Sequence, residues 1–166
     1  RNIFSNSEIV IDSINQALIS LGLPLIKKFV LILMTSELAV NKPSELLKTS
    51  VFRARFCESL LSKSPFHELS ERGFLAGLFS TLDAALDMEI EVVMEQLPIE
   101  HDIKLALIQN VGLLAGTLNI LKSYESGDFK NSYTYCNQIG LTLDILHVTY
   151  LESIVWQRKE ISLLTS

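Results

Sequence analysis

Apolar side chains recur along this chain every three or four residues, the period of helices with one inward face. Ser13-Ile14-Asn15-Gln16 has the form of a capping box, and Ile14, Ala17, Leu18 and Leu21 share a face before Gly22. A second box, Ser5 with Glu8, leaves the start of that helix open. Pro24 suits the first position of a following helix, and residues 25–40 are apolar on nearly every side beyond Lys27 and Lys28, as expected of a helix enclosed by others. After the break at Asn41-Lys42-Pro43-Ser44, the spacing of Leu46, Leu47, Val51, Ala54, Cys57, Leu60 and Leu61 predicts a helix to Leu61. Ser64-Pro65-Phe66 is the next break. One Leu/Ala/Phe-rich helix is predicted over residues 68–86, with Gly73 and Gly77 inside it. An interior glycine costs about 1 kcal/mol relative to alanine, an expense that close helix packing would offset. Short helices follow at about 89–96 and 99–109, divided by Leu97-Pro98, and another at 113–124. Ser126-Gly127-Asp128 is a turn that caps a helix over 129–139, which Gly140 closes. Thr142 starts the last helix, with Leu143, Leu146, Tyr150, Ile154 and Ile161 on its inner face. No stretch between turn signals alternates with period two. The expectation is an all-α, multi-helical bundle of about eight or nine helices forming one domain over residues 1–166.

Composition narrows the class. With 166 residues, 48% hydrophobic and 20% charged, the chain is no disordered tail, and a single domain of this length buries roughly 70% of its unfolded surface. Its net charge of −5, from 14 Lys and Arg against 19 Asp and Glu, offers no basic stripe to replace phosphate counterions, so no nucleic-acid partner is expected. The longest charge-free stretch, residues 105–121, holds Gln109, Asn110, Asn119 and two glycines and falls short of the roughly 20 apolar residues of a membrane span. The chain begins with Arg1 and shows no leader pattern, so it reads as a C-terminal fragment of something longer. Cys57 and Cys136 lie within apolar periodic segments, which gives a disulfide framework or zinc knuckle no support and makes a reducing cytoplasm the expected compartment. A positive mean hydropathy of +0.32 adds that some apolar surface should meet another domain or a second copy.

Few side chains offer chemistry. His101-Asp102 invites comparison with metal-dependent phosphohydrolases that use adjacent His and Asp ligands, but Pro98 to Asp102 reads as a helix's first turn, where carboxylates are favoured by exposed N–H groups. His147 lies three residues after Asp144, the spacing of a surface pair, and His67 sits in a loop beside Glu68. Cys57 shares a face with Arg53, yet its apolar neighbours mark a small buried hydrophobe, as do those of Cys136. Nucleotide-loop, zinc-protease and serine-hydrolase strings are absent.

Several longer strings carry a family likeness. FLAGLFSTLDAALDM at 74–88, EIEVVMEQLPIEHDIKLAL at 89–107, SINQALISLGLPLIKKFVLIL at 13–33, VFRARFCESLL at 51–61 and LKSYESGDF at 121–129 together resemble the HDOD domain, an HD-related output domain of bacterial signalling proteins. The likeness spans about residues 10 to 156 and is greatest to HDOD domains that follow an EAL domain of the cyclic-di-GMP phosphodiesterase type. It implies an HD-domain-like fold. In active HD enzymes with a related helix the metal-binding pair follows an Ala-Gly-Leu-Leu stretch. Here Ala76-Gly77-Leu78-Phe79 is followed by Ser80 and Thr81, so the resemblance implies that both ligand positions are vacated. An upstream His-Ser of such enzymes falls near Thr49-Ser50, again without a ligand. HDOD domains also begin with further helices before the stretch matching Ser13. Almost none of that is expected here, so either the fragment cuts into the domain or that part is shorter, and a cut would leave an apolar patch exposed that favours association.

The resemblance therefore implies a non-catalytic signalling module with no catalytic residue, metal or cofactor, attached to an upstream EAL-like domain. It would act through interdomain contacts, an unidentified signalling protein or a homo-oligomer. Two alternatives stay open. One is a divergent HD-type phosphohydrolase using His101 and Asp102 with His67 or His147. The other is a helical adaptor unrelated to cyclic-di-GMP.

Overall fold

Residues 44–97 and 99–165 are described by a computed structural model, and over them the chain is all-α. Eight α-helices are present: α1 (Ser44–Ser62), α2 (Ser70–Phe79), α3 (Leu82–Leu86), α4 (Ile90–Gln96), α5 (His101–Gln109), α6 (Leu113–Glu125), α7 (Phe129–Gln138) and α8 (Leu143–Thr165). A 3-10 turn (His67–Leu69) precedes α2. The helices expected at 14–21 and 25–40, and Pro98, lie outside the described residues.

Helix α1 is the wall between two apolar clusters. Val51, Ala54 and Leu61 pack with Phe74, Leu75 and Leu78 of α2, Met94 of α4 and Ile103 of α5. Phe52, Phe56, Cys57 and Leu60 face the other way, onto Leu118 and Leu121 of α6, Cys136 of α7 and Leu146 of α8. Sequence spacing alone draws one stripe along α1 and leaves out Phe52 and Phe56. Phe56 is fully buried because a helix between two layers needs apolar groups on both sides. Pro65 bars continuation, and Ser64 satisfies the loose end: its hydroxyl donates to the Leu61 carbonyl at 2.8 Å and accepts from the Phe66 N–H at 3.0 Å.

The single helix expected over 68–86 is instead three pieces, the 3-10 turn, α2 and α3. The main break falls at Ser80-Thr81. The Ser80 hydroxyl donates to the Gly77 carbonyl at 2.7 Å, competing for the acceptor that the Thr81 N–H would use in a continuing helix. Thr81 turns to φ −120°, ψ 5° and starts α3, whose end is closed by Asp87 at φ 52°. The expected turns at Asp128 and Gly140 are present: Asp128 caps α7 by accepting from the Asn131 N–H at 3.2 Å, and Gly140 takes φ 73°. Asn110, which the sequence reading did not single out as a turn, ends α5 in the left-handed region.

Helix α8 lies along α1 with Leu146, Thr149 and Ser153 fully buried. The small hydroxyl residues were not part of the expected inner face, which the apolar pattern placed on Leu143, Leu146, Tyr150, Ile154 and Ile161. Those other than Leu146 are only half-buried. Thr149 and Ser153 can face inward because each hydroxyl has a partner: Lys63 donates to Thr149 at 3.1 Å, and Ser153 donates to the Thr149 carbonyl at 2.7 Å. No helix among the described residues is by itself long and apolar enough to cross a membrane.

The closest approach in the bundle is α2 against α1. A Cβ on Gly77 would fall on the Arg53 carbonyl group, and one on Gly73 would lie 3.2 Å from the Cys57 carbonyl oxygen, beside the Leu61 side chain. Both obstacles include backbone, which cannot rotate away. Gly116, in the interior of α6, has nothing within 4 Å of where its Cβ would stand. Gly77→Ala should therefore destabilise the chain by about 2–3 kcal/mol through overpacking, while Gly116→Ala should stabilise it by about 0.5–1 kcal/mol. Urea unfolding of the two variants measures both. Equal and small effects would show that the α1–α2 spacing is not set by glycine.

Candidate functional site

The α1–α2 contact carries a polar cluster in an otherwise apolar seam. Ser50, fully buried on α1, donates its hydroxyl proton to the Leu46 carbonyl at 2.9 Å. With that proton committed, Ser50 Oγ is the acceptor for the buried Thr81 hydroxyl, which contacts it directly. One helical turn along α1, Arg53 donates from Nη1 to Ser80 Oγ at 3.2 Å. Ser80 in turn spends its proton on Gly77. Each of the three hydroxyls thus donates to an oxygen of the chain itself, and no buried side-chain nitrogen or oxygen among the described residues lacks a partner.

The positions singled out by resemblance, Ser80 and Thr81, are thus brought together with Ser50 from the looser upstream match. Their donor set does not suit a divalent cation. Neutral hydroxyls are weak ligands beside carboxylate and imidazole, their protons are engaged, and the Arg53 guanidinium places a permanent positive charge at Ser80. Arg53 also acts electrostatically on Glu125, at the end of α6. Burial raises the affinity of that carboxyl for a proton, and Arg53 partly opposes the shift.

The histidines stand elsewhere. His67 is exposed in the 3-10 turn, His101 is exposed at the start of α5, and His147 is exposed on α8. Among the described residues no group of three or more His, Cys, Asp or Glu side chains is placed to hold a metal ion. Asp102 is not simply solvated. Its Oδ2 accepts from Arg72 at 3.0 Å while Arg72 also pairs with Glu100, tying the start of α5 to α2. His147 does not pair with Asp144 as its spacing suggests. Its Nδ1 lies 2.5 Å from the Tyr124 hydroxyl, in an aromatic group with Phe129 and Tyr150 that α6, α7 and α8 assemble together. Cys57 is buried, and that burial pushes its thiol up to about 12 against the smaller lowering effect of Arg53. Cys136 is pushed up to about 11 by the same cause. Arg53 was the residue that sequence reading missed at this site. Its presence beside Cys57 was visible, but its bond to Ser80 crosses 27 positions of the chain.

The family model for the HDOD domain matches residues 4–87, which include α1, α2 and the Ser80-Thr81 break. The cyclic di-GMP phosphodiesterase CdgJ of Vibrio cholerae serotype O1 is 35% identical over 148 residues, covering 89% of this chain and 34% of its own length. The uncharacterized protein YuxH of Bacillus subtilis strain 168 is 32% identical over 151 residues, covering 88% of this chain and 36% of its own. The chain thus spans about a third of the length of each curated relative. No solved structure matches it.

Two measurements test this geometry. Ser50→Ala leaves the Thr81 hydroxyl buried without its acceptor, and Thr81→Val removes that donor and retains the shape. Ser50→Ala should cost about 1–3 kcal/mol, and the double variant should cost less than the sum of the two single changes. Strict additivity in urea unfolding would mean the two hydroxyls do not interact. In the native chain both thiols should react with a disulfide reagent at pH 8 at least about 1000-fold more slowly than in urea, because burial removes both thiolate and access. A fast-reacting native thiol at Cys57 would contradict its placement.

Proposed function

This chain belongs to the HDOD domain family, and on that footing we propose that it is a non-catalytic output module of cyclic-di-GMP signalling. It passes the state of an attached EAL-type domain through protein–protein contacts. The observation that carries this reading is the Ser50, Thr81, Ser80 and Arg53 cluster. At the seam where a related enzyme would hold a divalent ion, this chain keeps neutral hydroxyls with committed protons and a guanidinium. A cation there would lose more hydration than these groups return, and it would meet like charge. The signalling context is supported by likeness to a relative named as a cyclic di-GMP phosphodiesterase, most of whose length lies outside the match. In this reading the hydrolytic chemistry belongs to that remaining length. The free, buried cysteines suit a cytoplasmic, reducing setting.

A direct test has two arms. The purified chain, incubated with manganese, magnesium or ferrous ions and then desalted, should hold no stoichiometric metal and should not hydrolyse cyclic-di-GMP or a bis-aryl phosphodiester. In the longer protein that contains it, deleting this domain should change the phosphodiesterase rate or its response to binding partners and leave the chemistry itself in place. Stoichiometric metal together with turnover by the isolated chain would establish the phosphohydrolase alternative instead.

A further inference from the structure

Helix α8 presents a second face that its packing on α1 does not use. Val148, Leu151 and Val155 are 48%, 50% and 68% exposed, although Val148 and Val155 are of a residue type usually buried. At about 100° per residue, Val148, Leu151, Glu152, Val155, Lys159 and Ser162 fall within one stripe, opposite the buried Leu146, Thr149 and Ser153.

The order of residues in this stripe has a symmetry. Val148, Leu151, Val155, Lys159 and Ser162 are separated by three, four, four and three positions, a sequence of steps that reads the same in both directions about Val155. An antiparallel copy of the same helix, related by a two-fold axis at Val155, therefore meets it in register. Val155 stacks on its own counterpart, and Leu151 stands level with the counterpart's Lys159, whose stem lies over it. Glu152 stands level with the counterpart's Arg158 and one residue from its Lys159, on the flank that Lys159 shares, and the two-fold axis makes that contact between opposite charges twice. Glu152 is 59% exposed while bonded to Lys63, so it has acceptor capacity left, and the Lys159 ammonium has no ion pair among the described residues. The four-carbon stem of Lys159 covers apolar surface while its charge reaches the rim.

We propose that this face of α8 is where two copies of the chain associate, through an isologous antiparallel helix pair centred on Val155. The inference goes beyond the signalling reading and does not depend on it. The stripe from Val148 to Ser162 is about 21 Å long, 14 steps at the helical rise. A contact of that length is short for a specific interface, so the association should be reversible.

Sedimentation equilibrium of the 166-residue chain, from roughly 1 to 300 µM, reads the association. The mass should rise from 18.6 kDa toward about twice that value. Glu152→Lys or Lys159→Glu alone places like charges across the axis twice and should weaken association at least about tenfold, whereas the double exchange should restore it to within about threefold. Val155→Cys supplies an independent reading, since oxidation with copper phenanthroline should join two copies at the axis while the buried Cys57 and Cys136 stay out of reach. Helicity and thermal unfolding of each variant establish that it is folded. A chain monomeric throughout, a double exchange as weak as either single change, or no cross-linked dimer from folded Val155→Cys would each overturn the proposal.

Discussion

The approach of α2 to α1 across Gly73 and Gly77 is the contact on which the rest of the described structure depends. No side chain can intervene at Gly77 because the Arg53 carbonyl occupies the place where a Cβ would stand. The two backbones therefore meet directly, and dispersion contacts along the seam become dense. The glycines lose chain entropy in a helix interior, an unfavourable term that only this contact explains. Everything at the far end of α2 is positioned by it, including the sharp exit at Ser80.

From that seam the architecture grows in two directions. Helix α1 has apolar groups on both sides, so one cluster forms with α2 to α5 and the start of α6, and another with the rest of α6, α7 and α8. Polar groups enter only with partners. Thr149 and Ser153 lie at the α1–α8 contact because Lys63 and a backbone carbonyl meet their hydroxyls, and Asp102 holds the start of α5 to α2 through Arg72. The outer face of α8 is left with valine and leucine that no described residue covers to a comparable degree.

The same seam decides what the polar cluster can do. Ser50 and Thr81 are 31 positions apart, yet their hydroxyls share one proton-donating contact inside the bundle. Arg53 then adds a fixed positive charge at Ser80, beside hydroxyls whose protons are already committed. A domain built this way is suited to transmit strain through packed helices, since α1 touches both clusters and a shift of α2 would be felt in each. Helix α1 thus makes the two apolar clusters mechanically continuous.

Local chemistry made much of this molecule legible in the sequence. The 3.6-residue period gave the all-α class. Pro65, Gly140 and Asp128 marked their helix boundaries because each acts on its own backbone within a few positions. The string around Gly77 also carried the family, and with it the expectation for Ser80 and Thr81. Tertiary structure decided what depends on distant partners. It cut the 68–86 helix because the Ser80 hydroxyl competes for Gly77 while Thr81 turns toward Ser50. It buried Phe56 and Ser153, which one apolar stripe per helix does not predict. It also gave His147 the Tyr124 hydroxyl in place of Asp144, and it gave Arg53 to Ser80. A periodic pattern reports which face of a helix avoids water, whereas the partner of each polar group is fixed only when two such faces are pressed together.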